Sequence, residues 1–122
     1  KSRGLGDVYK RQISYYDRIE YPEKIWNHIW DGMYDVVNAD QGSGWRARLD
    51  SSEIKLFGKT STAENPHGEP HAWFIGFFDF QDTTYSIVVM VENGGGGGAI
   101  ASPIAGDIVE YYINSSKSLA EN

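Results

Sequence analysis

Two apolar segments separated by three residues restrict the fold of this 122-residue chain more than any other feature. His71 to Phe80 is dense in aromatic side chains, and Thr84 to Val91 is an almost continuous apolar run. The connection from Gln81 to Thr83 is short enough to join them as an antiparallel β-hairpin. A run as apolar as the second segment suits a strand that is covered on both faces.

Helical periodicity precedes and follows this hairpin. Before it, apolar residues recur every four positions, at Ile25, Ile29, Met33 and Val37. They predict an amphipathic helix over Glu23 to Asn38 whose tryptophans pack in the core. After the hairpin, the same spacing returns at Ile100, Ile104, Ile108 and Tyr112. It predicts a second helix, with Pro103 in the first turn, where a missing N–H costs nothing.

The remaining segments complete an α+β pattern. Ile54 to Ala63 reads as a further strand, and the alternation in Trp45 to Leu49 predicts a short strand or an extended loop. The glycines from Gly94 to Gly98 suit a turn from the last strand into the last helix. We therefore predict an antiparallel sheet of about three strands, flanked by N- and C-terminal helices that pack on it.

The two ends of the chain differ from its body. Residues 1–12 contain Lys1, Arg3, Lys10 and Arg11 but a single acidic residue, Asp7. Their sequence looks like translated sequencing-adapter sequence, so we interpret them as a non-native leader; a basic arm for an anionic partner is the alternative. Residues 114–122 are polar and lack periodicity, which predicts a flexible tail. Residues 13–113 then form the domain segment.

Composition excludes several classes of function. A net charge of -6 argues against nucleic-acid binding, which needs a basic face. The absence of Cys excludes thiolate zinc sites and Cys nucleophiles. His67, Glu69 and His71 are interrupted by glycine and prolines that forbid a helix, so we predict no metal site and no cofactor. No apolar run is long enough for a membrane span, and the first residues contain no signal-peptide core.

Three sequence blocks, in order, carry a family resemblance. They are GKTSTAENPHG at Gly58 to Gly68, HAWFIGF at His71 to Phe77 and VENGGGG at Val91 to Gly97. Together they resemble the C-terminal part of the transpeptidase domain of class B penicillin-binding proteins, in particular the penicillin-binding protein 2 type. The resemblance extends from Tyr21 to Ile113. It implies an incomplete part of a serine β-lactamase/D,D-transpeptidase-like fold.

The resemblance also implies roles for Lys59, Thr60, Ser61 and Thr62, which line the active site as a Lys-Thr-Gly-Thr strand in that family. The ammonium of Lys59 would supply positive potential and join a proton relay. The hydroxyls of Thr60 and Thr62 would bind a substrate carboxylate, and the backbone N–H of Thr62 would be an oxyanion-hole donor. Ser61 stands where the family has Gly, which changes how closely a substrate can approach the backbone.

The family nucleophile is missing from this sequence. In the family it is the Ser of a Ser-x-x-Lys motif, followed by a Ser-x-Asn motif, both upstream of the Lys-Thr-Gly strand. The chain has no Ser-x-Asn, and its one Ser-x-x-Lys match, Ser52 to Lys55, is too near Lys59 to face it across a cleft. We therefore expect a fragment that is inactive by itself and lacks the N-terminal half of its domain.

Further expectations follow from the resemblance. The parent enzyme would crosslink peptidoglycan stem peptides ending in D-Ala-D-Ala, bind β-lactams and contribute to cell shape. It would be periplasmic, anchored in the bacterial inner membrane by a segment outside this sequence. Without two strands that the family places beside it, Thr84 to Val91 becomes an open edge that favours self-association.

Two alternatives remain open. One is a non-catalytic α+β binding module that uses the aromatic strand His71 to Phe80 against a partner. The other is a fragment of a serine β-lactamase, which would share the Lys-Thr-Gly strand. The HAWF and VENGGGG blocks favour the transpeptidase over the β-lactamase.

Overall fold

A computed structural model describes residues 19–120, so the predicted leader at residues 1–12 lies outside the described residues. The regular elements in chain order are helix α1 (Glu23–Asn38), strands β1 (Phe57–Ala63), β2 (His71–Phe80) and β3 (Thr83–Val91), and helix α2 (Ser102–Ala120). A 3-10 turn (Trp45–Ala47) precedes β1, and a π-helical turn (Gly97–Ala101) precedes α2. The strands form one antiparallel sheet in the order β1-β2-β3, which confirms the predicted α+β class.

The β2–β3 hairpin forms as predicted. Its strands pair without a break from Ala72 opposite Val91 to Phe80 opposite Thr83. Gln81 and Asp82 both have positive φ, at 49° and 60°, so they form the two-residue primed turn whose twist matches that of paired strands. β3 lies at an edge of the sheet, and Val88 is 63% exposed, so the coverage on both faces expected for this run is absent among the described residues.

The core lies between one face of the sheet and α2. It contains Ala72, Phe74, Phe78 and Val89 from the sheet and Ala105, Val109 and Ile113 from α2. Phe74 is fully buried, and its ring covers Gly58 on the neighbouring strand so closely that any Cβ at position 58 would collide with it. The glycine that opens the Gly-Lys-Thr-Ser-Thr block is therefore required by packing.

The buried face of helix α2 is not the face that its regularly spaced isoleucines predict. Its buried residues are Ser102, Ala105, Gly106, Val109 and Ile113. Ile104 and Ile108 remain 39% and 50% exposed. Small side chains are needed on the inner face because a Cβ at Gly106 would lie 3.0 Å from the Cα atom of Ala47. The helix also continues to Ala120, through the part that the sequence predicted as a tail.

The segment that begins at Trp45 does not form the predicted strand or extended loop. Trp45–Ala47 forms a 3-10 turn instead of a strand, because the N–H groups of Ala47 and Arg48 bond locally to the carbonyls of Gly44 and Trp45, at 2.8 and 3.1 Å. Arg48, which caps the turn, is extended.

Helix α1 has the predicted bounds but not the predicted burial. Val37 is its one buried residue, and Trp30 is 46% exposed. Trp26 and Trp30 stack on each other, with ring centroids 6.2 Å apart, and do not enter the core.

Candidate active-site strand

Strand β1 carries the four predicted site residues at an edge of the sheet. Among residues 19–120 it pairs only with β2, where Lys59 is opposite Ile75 and Thr62 is opposite Ala72. Alternation along the strand places Lys59 and Ser61 on one face and Thr60 and Thr62 on the other. An edge strand leaves one line of backbone groups free of sheet pairing, as recognition of a peptide-like ligand requires.

Lys59 and Ser61 lie on the open face of the sheet, and both are exposed. The ammonium of Lys59 donates a hydrogen bond to the carbonyl oxygen of Thr60. Lys59 is therefore held near its own strand and is not packed into the interior. Ser61, which stands where the resemblance expects Gly, adds its hydroxyl to this same open face.

Thr60 is buried and hydrogen-bonded to a residue that sequence reasoning missed. It is 9% exposed, and its Oγ1 lies 2.8 Å from the Oγ of Ser43. Ser43 belongs to the glycine-containing turn after α1, and a Cβ at the adjacent Gly44 would lie 3.3 Å from the Cγ2 of Thr60. The turn was recognisable in the sequence, but its contact with a strand residue 17 positions later was not.

Thr62 is contacted by the turn that enters α2. Its Oγ1 accepts a hydrogen bond from the N–H of Gly97 at 3.3 Å. Gly97 is buried, and any Cβ there would collide with the carbonyl oxygens of Ser61 and Trp73. The fourth glycine of the run therefore lets the backbone at the start of α2 lie directly on strand β1.

A network of hydrogen bonds ties the loop after β1 to the turn after β3. Asn65 Nδ2 donates to Asn93 Oδ1 at 2.7 Å, and the N–H of Asn93 donates to His71 Nδ1 at 3.0 Å. The N–H of Gly95 donates to the carbonyl of Pro70 at 2.8 Å. Asn93 has a φ of 53°, a conformation that Asn tolerates better than most residues. The network joins the second and third sequence blocks at the end of the site strand.

His71 takes part in the hydrogen-bond network at the end of the sheet. Its Nδ1 accepts a hydrogen bond from the N–H of Asn93, and residues 19–120 contain no cluster of three His, Cys, Asp or Glu side chains that could hold a metal ion.

Within residues 19–120, no helix has the length and apolar character to cross a membrane. The Ser52 to Lys55 match lies in the irregular segment that enters β1.

Comparison with known proteins identifies the family of the chain. The penicillin binding protein transpeptidase domain family matches residues 8–110. The chain belongs to this transpeptidase family. The resemblance drawn from the three sequence blocks is thereby confirmed, and the strand that carries Lys59 lies within the matched range.

Two curated relatives are similar to this transpeptidase-family chain. The peptidoglycan D,D-transpeptidase MrdA of Haemophilus influenzae is 31% identical over 121 residues, covering 82% of this chain and 18% of the relative. The peptidoglycan D,D-transpeptidase PbpA of Mycolicibacterium smegmatis is 42% identical over 62 residues, covering 42% of this chain and 12% of the relative. The chain thus spans less than a fifth of either protein. No solved structure gives a significant match.

Proposed function

We propose that this chain is one wall of the active site of a peptidoglycan D,D-transpeptidase, the wall formed by the Lys59 to Thr62 strand. The observation that carries the proposal is the combination of family membership with an exposed Lys59 on an edge strand. The parent enzyme would act on stem peptides ending in D-Ala-D-Ala and bind β-lactams, in the periplasm and anchored in the inner membrane. Both curated relatives are named transpeptidases, which favours this reaction over a β-lactamase.

The hydrogen bonds of the two threonines support a carboxylate-binding role. A hydroxyl has one proton to donate and two lone pairs that accept. Because Thr62 Oγ1 accepts from the Gly97 N–H, its own proton stays available for a ligand carboxylate. Thr60 can do the same when Ser43 is the donor in their shared hydrogen bond. Thr62 is the more exposed of the two, so we assign it the main contact with the carboxylate.

Lys59 provides the positive charge in this proposal. Its ammonium is exposed on the face opposite the threonines, and it can swing from the Thr60 carbonyl toward a ligand at the strand edge. A bound acyl group would find a further donor in the backbone N–H of Thr62. Loss of one such oxyanion-hole donor typically costs about 3 kcal/mol of transition-state stabilisation.

Acylation requires a serine from outside this sequence in the proposed mechanism. The one Ser-x-x-Lys match immediately precedes β1, and no Ser-x-Asn motif is present. The chain alone should therefore not be labelled by fluorescent penicillin, whereas a complete transpeptidase of the family should be labelled under the same conditions. Stoichiometric covalent labelling of the isolated chain would contradict this assignment.

A chimera tests the positive half of the proposal. Residues 19–120 replace the matching segment of the Haemophilus influenzae relative, and acylation by fluorescent penicillin is followed over time. We expect labelling of the chimera, and a loss of at least about a hundredfold in its rate with Lys59→Met, since the charge lies at the acylation site.

Lys24→Met is the matched control for the chimera, because it removes an exposed lysine on α1. It should leave labelling unchanged. A folded chimera that is not labelled, or one that is indifferent to Lys59→Met, would refute the proposed role of the strand.

A further inference from the structure

Ser43 places an exposed hydroxyl beside the site strand. Its Oγ lies 2.8 Å from the Oγ1 of Thr60, a residue that is 9% exposed. Ser43 itself is exposed, and both of its neighbours in the turn are glycines, which carry no side chain that could cover its hydroxyl. The two hydroxyls therefore form a hydrogen-bonded pair with one member in the interior and the other at the surface.

The backbone of Ser43 is held between α1 and the turn that enters α2. On the α1 side, a Cβ at Gly42 would collide with the carbonyl oxygen of Val36, and the N–H of Gly44 donates to the same carbonyl at 2.8 Å. On the other side, a Cβ at Gly98 would collide with the carbonyl oxygen of Ser43. The Ser43 hydroxyl is thus fixed in place before a ligand arrives, which lowers the entropy cost of binding.

The same packing brings Ser43 close to the second threonine of the strand. Gly98, which contacts Ser43, follows directly on Gly97, whose N–H donates to the Oγ1 of Thr62 at 3.3 Å. Thr60 and Thr62 lie on one face of β1, about 7 Å apart along the strand. Ser43 and Thr62 therefore offer two exposed hydroxyls on the same side of β1, and a carboxylate has two oxygens that can accept from them.

Burial determines which hydroxyl of the Ser43–Thr60 pair donates to the other. Each hydroxyl has one proton, so the pair uses one internally and has one left. If Ser43 donated, the remaining proton would be on buried Thr60, where an unused donor costs free energy. If Thr60 donates, the remaining proton is on Ser43, where water or a ligand can accept it. The second direction leaves no buried donor unused.

We propose that Ser43 is a second hydroxyl donor to the ligand carboxylate, and that Thr60 acts through it. Ser43 and Thr62 together would bind the carboxylate of a terminal D-Ala or of a β-lactam. Thr60 would be a positioning residue, which donates to Ser43 and so turns the Ser43 proton outward. The inference rests on the function proposed above for the strand, and it gives a ligand contact to a turn residue outside the Lys-Thr-Ser-Thr block.

Acylation of the chimera described above compares the two members of the pair. Ser43→Ala should lower the rate of acylation by benzylpenicillin at least about tenfold, as expected for a lost hydrogen bond to a charged group. Thr60→Val keeps the branched shape of Thr60 and leaves the Ser43 proton available, so its effect should be smaller. An equal or larger effect of Thr60→Val would return the carboxylate contact to Thr60 and overturn the inference.

The methyl ester of benzylpenicillin separates ligand binding from support of the strand. The rate for each ligand is the rate at which it blocks later labelling by fluorescent penicillin. Because the ester has no carboxylate charge, Ser43→Ala should slow acylation by the acid and leave acylation by the ester almost unchanged. A variant that only distorted β1 would slow both ligands equally, and that result would refute a contact between Ser43 and the carboxylate.

Two further variants complete the comparison. Ser43→Thr retains a hydroxyl and should keep most of the rate with the acid. Ser52→Ala removes an exposed hydroxyl from the segment before β1 and should leave both rates unchanged. Circular dichroism shows that each variant is folded. A loss with Ser43→Thr as large as that with Ser43→Ala would contradict a role for the hydroxyl.

NMR spectroscopy of the whole chain tests the direction of the hydrogen bond without a ligand. A hydroxyl proton that is buried and hydrogen-bonded exchanges slowly with water. We expect a slowly exchanging hydroxyl proton on Thr60 and a rapidly exchanging one on Ser43. A slowly exchanging proton on Ser43, or on neither residue, would overturn the inference.

The failure of this inference is distinguishable from the failure of the proposed function. Labelling of the chimera that depends on Lys59 but not on Ser43 would overturn the inference alone. A folded chimera that is not labelled at all would overturn both.

Discussion

At the scale of single residues, the site strand depends on partners that lie far from it in the sequence. Thr60 contacts Ser43, and Thr62 contacts Gly97. The N–H of Gly97 leaves the Thr62 hydroxyl with its proton to donate, and Ser43 leaves Thr60 with its proton when Ser43 is the donor in their hydrogen bond. Residues outside the Lys-Thr-Ser-Thr block therefore hold the hydroxyls of this strand in place.

Replacing Ser43 with Ala should destabilise the chain by about 1–3 kcal/mol, since it leaves the buried Oγ1 of Thr60 without its partner. Urea unfolding followed by tryptophan fluorescence measures the loss. The control is Ser52→Ala, which removes an exposed hydroxyl in the segment before β1. If both variants lose the same stability, the Ser43–Thr60 hydrogen bond contributes nothing of its own.

Gly97→Ala should destabilise the chain by about 1–3 kcal/mol or more, because the added Cβ collides with the backbone of β1 and β2. The matched control is the adjacent Gly96→Ala, whose Cβ would meet no atom within 4 Å. Urea unfolding of the two variants gives the comparison. Equal stability of both would show that the start of α2 does not rest on strand β1.

At the scale of elements, α2 and β3 are linked by a pair of tyrosines. The rings of Tyr85 and Tyr112 have centroids 5.2 Å apart. The side-chain hydrogen bond that the Tyr112 hydroxyl donates to Tyr85, followed by desolvation, raises the pKa of Tyr112 above its ordinary value of 10.0. The neutral phenol is therefore the form that the folded chain prefers.

The raised pKa of Tyr112 makes the folding stability of the chain depend on pH. The contribution of Tyr112 to folding stability is complete below its pKa in the unfolded chain, and it is lost as the pH rises through its higher pKa in the folded chain. Tyr85→Phe should lower the pKa of Tyr112, as measured by NMR titration of labelled tyrosines. Tyr111→Phe, which removes a ring that is 77% exposed, should leave that pKa unchanged. No change with Tyr85→Phe would exclude the hydrogen bond as its cause.

At the scale of the whole molecule, burial is uneven. The core occupies one side of the sheet, whereas the other side presents Ile75, Val88 and Met90 to solvent. α1 adds the exposed Trp30 and Ile29. Contiguous exposed apolar patches of this kind are typical of interaction surfaces.

The boundary of the domain segment at residue 113 is testable at this scale. Deleting residues 114–122 should change the free energy of unfolding by less than about 1 kcal/mol, because residues 114–120 contain no buried side chain. Deletion from Val109 onward is the contrasting variant, since it also removes two side chains that are 1% exposed, Val109 and Ile113. Thermal unfolding compares them. A large loss from the shorter deletion would place the boundary after the end of α2.

Local patterns in the sequence predicted the order of elements, the β2–β3 hairpin and the family. Those features depend on local spacing: a four-residue period, a short connection and three contiguous motif blocks. It did not reveal which face of α2 is buried, because small residues such as Gly106 and Ala105 carry little hydrophobic signal, yet the close approach to Ala47 requires them.

The surroundings of strand β1 depend on contacts that form only in the folded chain. Thr60 and Ser43 are 17 positions apart, and Thr62 and Gly97 are 35 apart, so neither contact has a local pattern that a sequence could show. The partial exposure of the α1 tryptophans could not be predicted for a related reason. Periodicity shows that a helix has an apolar face, but burial depends on whether another element packs against it.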